Sequence, residues 1–327
     1  MQIDRRWALR RIGAVLAAGA GRQAFAQNPY PARPIRIIAP SSAGGPYDLI
    51  PRLVADYISR KYGWAIAVEN RPGASGILGV VAAKQARPDG YTLVVPSAAT
   101  HGSEPAFNRT LPYDPYTDLA PIILLAKGAL VLLVGRAMRV NSVADLIALI
   151  RSKPGQLSFG SSGASTPHQL FMEMFLKMIG GRAQHVPYRG SVPALTDVVS
   201  GEIQMMMVDL AVAIPMINAG KVRVFGVTSP TRVKAMPDIP TIAEAGLPGF
   251  AATGWFSVVA RAGTPRPIVD KIDRVLMAYL KRPEVAERLA GFAIDPLTST
   301  PDELARFIPA EIVKWAQVVK DAGITPE

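Results

Sequence analysis

The 327-residue sequence contains no cysteine. It therefore forms no disulfide, offers no thiol chemistry and holds no metal through sulfur. Histidine is nearly as scarce: His101, His168 and His185 are the only three. No two of them have ligand spacing, so no metal site and no cofactor are expected. Neither G-x-G-x-x-G nor G-x-x-x-x-G-K-[ST] occurs, which removes support for dinucleotide and Walker-type phosphate binding. Basic residues such as Arg52, Arg60, Lys84, Arg136 and Arg151 are scattered, with no basic run interleaved with aromatics. Nucleic acid is thus not an expected partner. Long apolar runs are also missing. Residues 122–134 come nearest, but Lys127 and Gly128 interrupt them, so they read as core and not as a membrane span.

The N-terminus has a different character. Arg5, Arg6, Arg10 and Arg11 precede a short apolar stretch over 12–21, and Ala24-Phe25-Ala26 is an A-x-A cleavage site. Residues 1–26 are read as an export signal cleaved near Ala26, which makes the mature protein periplasmic. Arg5-Arg6 leaves both general and twin-arginine export open. The net charge is +11, and residues 1–26 hold five Arg against one Asp, leaving +7 for the rest. A mild positive excess attracts anionic solutes. About 300 remaining residues exceed one typical domain, so two lobes are expected.

The stretch from Pro40 to Asp48 organises the chain. The apolar run Ile35 to Ala39 reads as a buried strand leading into it. Leu49, Ile50, Leu53, Val54, Tyr57 and Ile58 recur at helical spacing after it. Pro46 suits the first helical position, and Asp48 suits the first turn. A strand, a glycine turn and a helix start together present free backbone N–H groups to an anion. Tight packing alone would use the same turn.

Strands and helices alternate through the first hundred residues, which predicts a parallel sheet with its ligand crevice at the strand ends. Ser42 to Gly45 ends the first strand, and Ser97 to His101 follows the third. Ser97 and Thr100 serve equally as turn or helix-cap residues. A second strand, small loop and helix start spans 157–169. There Thr166 and Gln169 have capping-box spacing and Pro167 falls at the first helical position. His168 sits at that helix start, either exposed or in the cleft. Two such starts, one per lobe and facing each other, would clamp an acidic solute. His185 is expected to end a strand near the surface. Met205-Met206-Met207 is expected as core filler.

Several stretches in order resemble one family: Ala43-Gly44-Gly45 with Asp48, Glu69 to Ala74, Asp89 to Thr92, Ser161-Ser162-Gly163 with His168, Val186 to Ser191, and Ala219 to Arg223. Over essentially the whole chain after the signal, the sequence resembles the Bug (TctC-like) receptors of tripartite tricarboxylate transporters. The resemblance implies a type II periplasmic-binding fold, two α/β lobes with the ligand between them. Lobe 1 would take residues 27–127 and 252–327, and lobe 2 residues 128–251. Carried over by residue, Ser42, Ala43, Gly44 and Gly45 would meet the ligand, with Asp48 supporting their turn. Ser97 and Thr100 would line lobe 1. Ser162, Gly163, Ser165 and His168 would line lobe 2, with Tyr188 and Asp209 nearby. Ser41 joins these candidates where the family often has an aromatic. Glu104 stands where the family often has Asn, and is expected to be solvated.

The function implied is a monomeric receptor, itself not membrane-spanning. It captures a small carboxylate by cleft closure and delivers it to a two-protein membrane permease. A sensor subunit for a membrane kinase would use the same cleft. An exported hydrolase would draw on Ser161, Ser162, His168 and Asp209, but Gly160-Ser161-Ser162-Gly163 is not G-x-S-x-G.

Overall fold

A computed structural model describes residues 30–108, 110–321 and 323. The export-signal reading falls on residues 1–26, outside the described residues. Of residues 1–32, only 30–32 are described, and they hold neither helix nor strand. Residues 33–327 form one compact unit.

Strand β1 (Ile35–Ala39) is followed by α1 (Pro46–Tyr62), β2 (Ile66–Asn70), α2 (Ile77–Lys84) and β3 (Thr92–Val94). A π-type turn, in which Ser103 N–H reaches back to the Ala98 carbonyl, runs into the short α3 (Glu104–Phe107). Next come β4 (Leu119–Gly128), β5 (Leu130–Gly135), α4 (Val143–Ser152), β6 (Ser158–Ser161) and α5 (Pro167–Met178). Then follow β7 (Gln184–Pro187), α6 (Ser191–Ser200), β8 (Met205–Asp209), α7 (Leu210–Asn218) and β9 (Val222–Val227). The chain ends with β10 (Gly254–Arg261), α8 (Arg266–Leu280), α9 (Pro283–Ala290), β11 (Ile294–Pro296) and α10 (Pro301–Asp321).

These strands form two sheets, ordered β11-β4-β10-β3-β1-β2 and β7-β6-β8-β5-β9. In the first, β1 pairs in parallel with β2 and β3, while β10 is antiparallel to β3 and β4. In the second, β6 pairs in parallel with β7 and β8, and β5 is antiparallel to β8 and β9. Each sheet with its helices is one α/β lobe. The chain leaves the first sheet at Gly128, enters the second at Leu130, and returns between Val227 and Gly254. Thr228 ties the two crossings. Its hydroxyl accepts from Leu130 N–H at 2.9 Å, and its carbonyl accepts from Ala252 N–H at 2.8 Å.

Apolar runs explain the sheets. The interior strand β5 is buried at every position, and Met205, Met206 and Met207 on the central strand β8 are fully buried as filler on both faces. Helix α10 packs Leu304, Ile308 and Ile312 into the first lobe's core, and Trp315 and Val319 into the second's.

Candidate functional site

The parallel strands β1, β2, β6 and β7, and β8 with them, end at a common opening between the lobes. Crossover helices must begin where parallel strands stop, so their N–H groups collect at this edge. A cavity of about 810 Å³ lies there. That is within the usual range for small-molecule sites.

The first wall is the turn after β1. Gly44 has φ +95°, a left-handed value that favours glycine. Asp48, buried in the first turn of α1, accepts from Gly44 N–H at 3.1 Å, Arg52 Nε at 2.7 Å and Asn70 Nδ2 at 2.9 Å. Burial pushes the Asp48 carboxyl up, but these hydrogen bonds together overcome it and hold the carboxyl below the usual range. Asn70 also donates to the Ser41 carbonyl at 3.1 Å, so the end of β2 braces the loop after β1.

Opposite lies the loop after β6. Pro167 opens α5, and Thr166 is its N-cap residue. The expected capping box does not form. The Thr166 hydroxyl donates to the Gly163 carbonyl, and Gln169 Oε1 accepts from Ser165 N–H, one residue before the cap. The cause is the tight Gly163–Ser165 turn, in which Ser165 itself has φ +56°.

His168 is buried at 4% exposure and belongs to the cleft, not to an exposed helix start. Its Nε2 is 3.0 Å from Asp209 Oδ2, and its Nδ1 is 2.6 Å from Ser162 Oγ. An ionised carboxylate only accepts, so Nε2 carries a proton and donates to Asp209, while Nδ1 shares a hydrogen bond with the Ser162 hydroxyl. Serine, histidine and aspartate are thus linked in one chain.

Of the residues singled out from sequence, Ser41, Ser42, Ala43 and Gly45 line the cavity from the first lobe, as does Ser97. Ser162, Gly163, His168, Tyr188 and Asp209 line it from the second. Gly44, Thr100 and Ser165 are not among the lining residues. Thr100 is fully buried, and its hydroxyl accepts from Ser97 N–H at 3.1 Å. Ser97 caps the turn in return, its Oγ accepting from Ala99 and Thr100 N–H. Ser165 is buried behind the loop and donates to Glu104. Glu104 is therefore not solvated: it is 4% exposed, in a junction between the lobes. His185 is half-buried on the edge strand β7. It stacks on Phe159, its Nε2 is 2.6 Å from Ser161 Oγ, and burial lowers its pKa to about 4.

Other lining residues escaped the sequence reading. Tyr47 lies against Phe256 with ring centroids 4.6 Å apart, and supplies an aromatic wall next to Ser41. Burial raises its phenol pKa, the Asp209 charge adds to the rise, and a hydrogen bond with Ser97 opposes it. Ser75 follows β2, and Arg189 and Ser191 follow β7 at the start of α6. Strand-end logic applied to β2 and β7, as to β1 and β3, would have found all three. Tyr188 offers its ring, because its hydroxyl donates to Asp197 at 2.6 Å. Burial first, then Asp197, push that phenol up to about 12.

Helices α1, α5 and α6 all begin at the cavity, each long enough to carry a dipole. Such a site holds anions. Among the described residues no group of His, Asp or Glu side chains is arranged to hold a metal ion.

The sequence profile described as "Tripartite tricarboxylate transporter family receptor" matches residues 50–324. The chain belongs to the tripartite tricarboxylate transporter receptor family. Protein BugT of Bordetella pertussis is 31% identical to this receptor over 313 residues, 95% of this chain and 96% of BugT. The structure of Rpa4515 of R. palustris with adipate is 34% identical. It covers 91% of this chain and 100% of its own, with a TM-score of 0.88. MatC from Rhodopseudomonas palustris with bound malate is 30% identical, covers 89% of this receptor and 100% of its own chain, and has a TM-score of 0.82. The superposition runs through both lobes, so the type II periplasmic-binding architecture expected from the motifs holds.

Proposed function

We propose that this receptor captures a small organic acid outside the cytoplasmic membrane and delivers it to a two-protein permease. One observation carries the reading: a hydroxyl-lined cavity between two lobes, onto which the N-termini of α1, α5 and α6 open. N–H groups and serine hydroxyls hold a carboxylate without proton transfer, and closure of the lobes then buries it. The adipate and malate bound by the two relatives suit such a cavity. Export through residues 1–26 and a monomeric state belong to the same reading. Among the described residues no helix is long and apolar enough to cross a membrane.

The Ser162–His168–Asp209 chain is read as a ligand-holding network. In hydrolases of this residue set the N–H after the nucleophile stabilises the oxyanion. Here Gly163 N–H is committed to Ser161 Oγ at 3.2 Å. Uncatalysed binding is therefore the activity, and turnover of an ester panel that is lost in Ser162→Ala would overthrow this.

Calorimetric titration with adipate, malate and a set of mono- and dicarboxylates tests the main reading. Saturable binding of at least one is expected. A folded, ligand-free sample indifferent to all of them sinks it. Uptake by cells carrying the permease, lost on deleting the receptor, separates transport from sensing.

A further inference from the structure

Asp209 is the one acidic side chain among the described residues that line the cavity. Its Oδ2 accepts from His168 Nε2, while Oδ1 has no hydrogen-bond partner among the described residues. The carboxylate keeps 14% of its surface open. A carboxylate accepts at both oxygens, so one oxygen of this cavity-lining group is left uncommitted.

The other charged features of the cavity have the opposite sign. Three helix N-termini open onto it, and Arg189, exposed at the start of α6, has no ion-pair partner among the described residues. These suit the acid end of a ligand. Asp209 does not: a second carboxylate placed there would meet a like charge in a partly desolvated site. A group that donates a hydrogen bond satisfies Oδ1 and removes the repulsion.

We propose that Asp209 selects ligands that carry, besides a carboxylate, a hydrogen-bond-donating substituent, ammonium or hydroxyl, directed at Oδ1. The inference rests on the carboxylate-receptor reading above and narrows it. The carboxylate meets the helix starts and Arg189, and the donor meets Asp209. An unsubstituted diacid leaves Oδ1 unpaired and is the poorer ligand.

Calorimetric titration of the full chain with succinate, malate and aspartate, and with adipate and 2-aminoadipate, tests this. In whichever series binds, a donor-bearing member is expected to bind about tenfold or more tighter than its unsubstituted parent. Malate against aspartate tells hydroxyl from ammonium, and either preference supports the inference. In Asp209→Asn the preference should shrink to about threefold or less, with the unsubstituted acid held more tightly than before. Succinate and adipate binding as well as their substituted partners overturns the inference and leaves the carboxylate reading intact. Failure of all five to bind a folded sample overturns the inference, and the wider set of mono- and dicarboxylates above then decides the carboxylate reading. Should Asp209→Asn not fold, the five ligands on the unaltered chain decide alone.

Discussion

Asp48 shows how one side chain shapes the binding turn. Its carboxylate gathers Gly44 N–H, Arg52 and Asn70, and Asn70 in turn holds the Ser41 carbonyl. Asp48→Ala removes the acceptor and should cost about 1–3 kcal/mol. A lowered melting temperature together with weaker carboxylate binding is expected; a variant equal to the parent in both contradicts this account. Buried titratable groups set the pH response. His101 is fully buried, its Nε2 without a partner among the described residues, and burial lowers its pKa to about 3; that of His185 is about 4. An unfolded histidine protonates near about 6.5. Below that pH the unfolded chain binds more protons than the folded one. Stability therefore falls as pH drops from about 6.5 towards about 4. Asp273 has the opposite sign. Burial first, then the Asp270 charge, raise its pKa to about 6, and its Oδ1 is buried without a partner among the described residues. Above that pH the folded chain holds a disfavoured charge, and the penalty is relieved as pH falls. Asp273→Asn should thus stabilise by about 1 kcal/mol near pH 8, after allowance for solvent screening, and by nothing near pH 4. Urea melts at the two pH values check it, and an equal gain at both would refute the charge explanation.

Helix α10 joins the two cores. Glu311 on it accepts from Trp255 Nε1 at 2.8 Å and from Trp315 Nε1 at 2.9 Å, while Trp315 stacks on Phe171 of α5. Trp315→Ala should cost about 3–5 kcal/mol, through the cavity it leaves and the pairing it breaks. Trp315→Phe should cost less, since the ring contact survives and only the Glu311 bond is lost. Equal denaturation midpoints for the two variants would deny the ring contact any role, and a Trp315→Phe midpoint equal to the parent's would deny the hydrogen bond one. The double allegiance of α10 was not legible in sequence, whereas its existence was. Apolar periodicity reports that a face is buried, and Pro301 marks a start, but neither names the partner. The same division runs through the chain. Strand β1, the start of α1 at Pro46 and the bounds of α9 could be read because local runs, glycines and prolines set them. Strand β11 is not legible locally, being three residues held as a strand by pairing with β4. The solvated placing expected for Glu104 fails because what buries it comes from elsewhere: Ser165 lies 61 residues beyond it. Thr100 was offered to the ligand, yet its hydroxyl closes a turn with Ser97, a local use that the sequence allowed equally.

The two lobes touch through serines. Ser42 Oγ donates to the Arg189 carbonyl at 3.3 Å, Ser75 Oγ to the Ala164 carbonyl at 2.5 Å, and Ser103 Oγ to the Ser165 carbonyl at 2.6 Å. Ser103 is fully buried, whereas Ser42 is exposed and Ser75 half-buried at the edge of the cavity. Each such bond contributes about 0.5–1.5 kcal/mol net. Two of them are comparable to the few kcal/mol that separate alternative conformations of one protein. The edge serines therefore bias the lobes towards closure before any ligand arrives. That bias raises affinity, because a ligand selecting a rare closed form binds more weakly by the fraction that is closed. The double variant Ser42→Ala, Ser75→Ala should then have a larger radius of gyration without ligand, by small-angle scattering, and bind carboxylates more weakly. With saturating ligand its radius should return to the parent value, since the lobes still close around a bound acid. The melting temperature of the free chain should barely move, because neither hydroxyl is buried. Direct loss of a ligand contact would weaken binding too, but it would leave the ligand-free radius unchanged. An unchanged radius would therefore assign these serines to the ligand alone and remove them from closure.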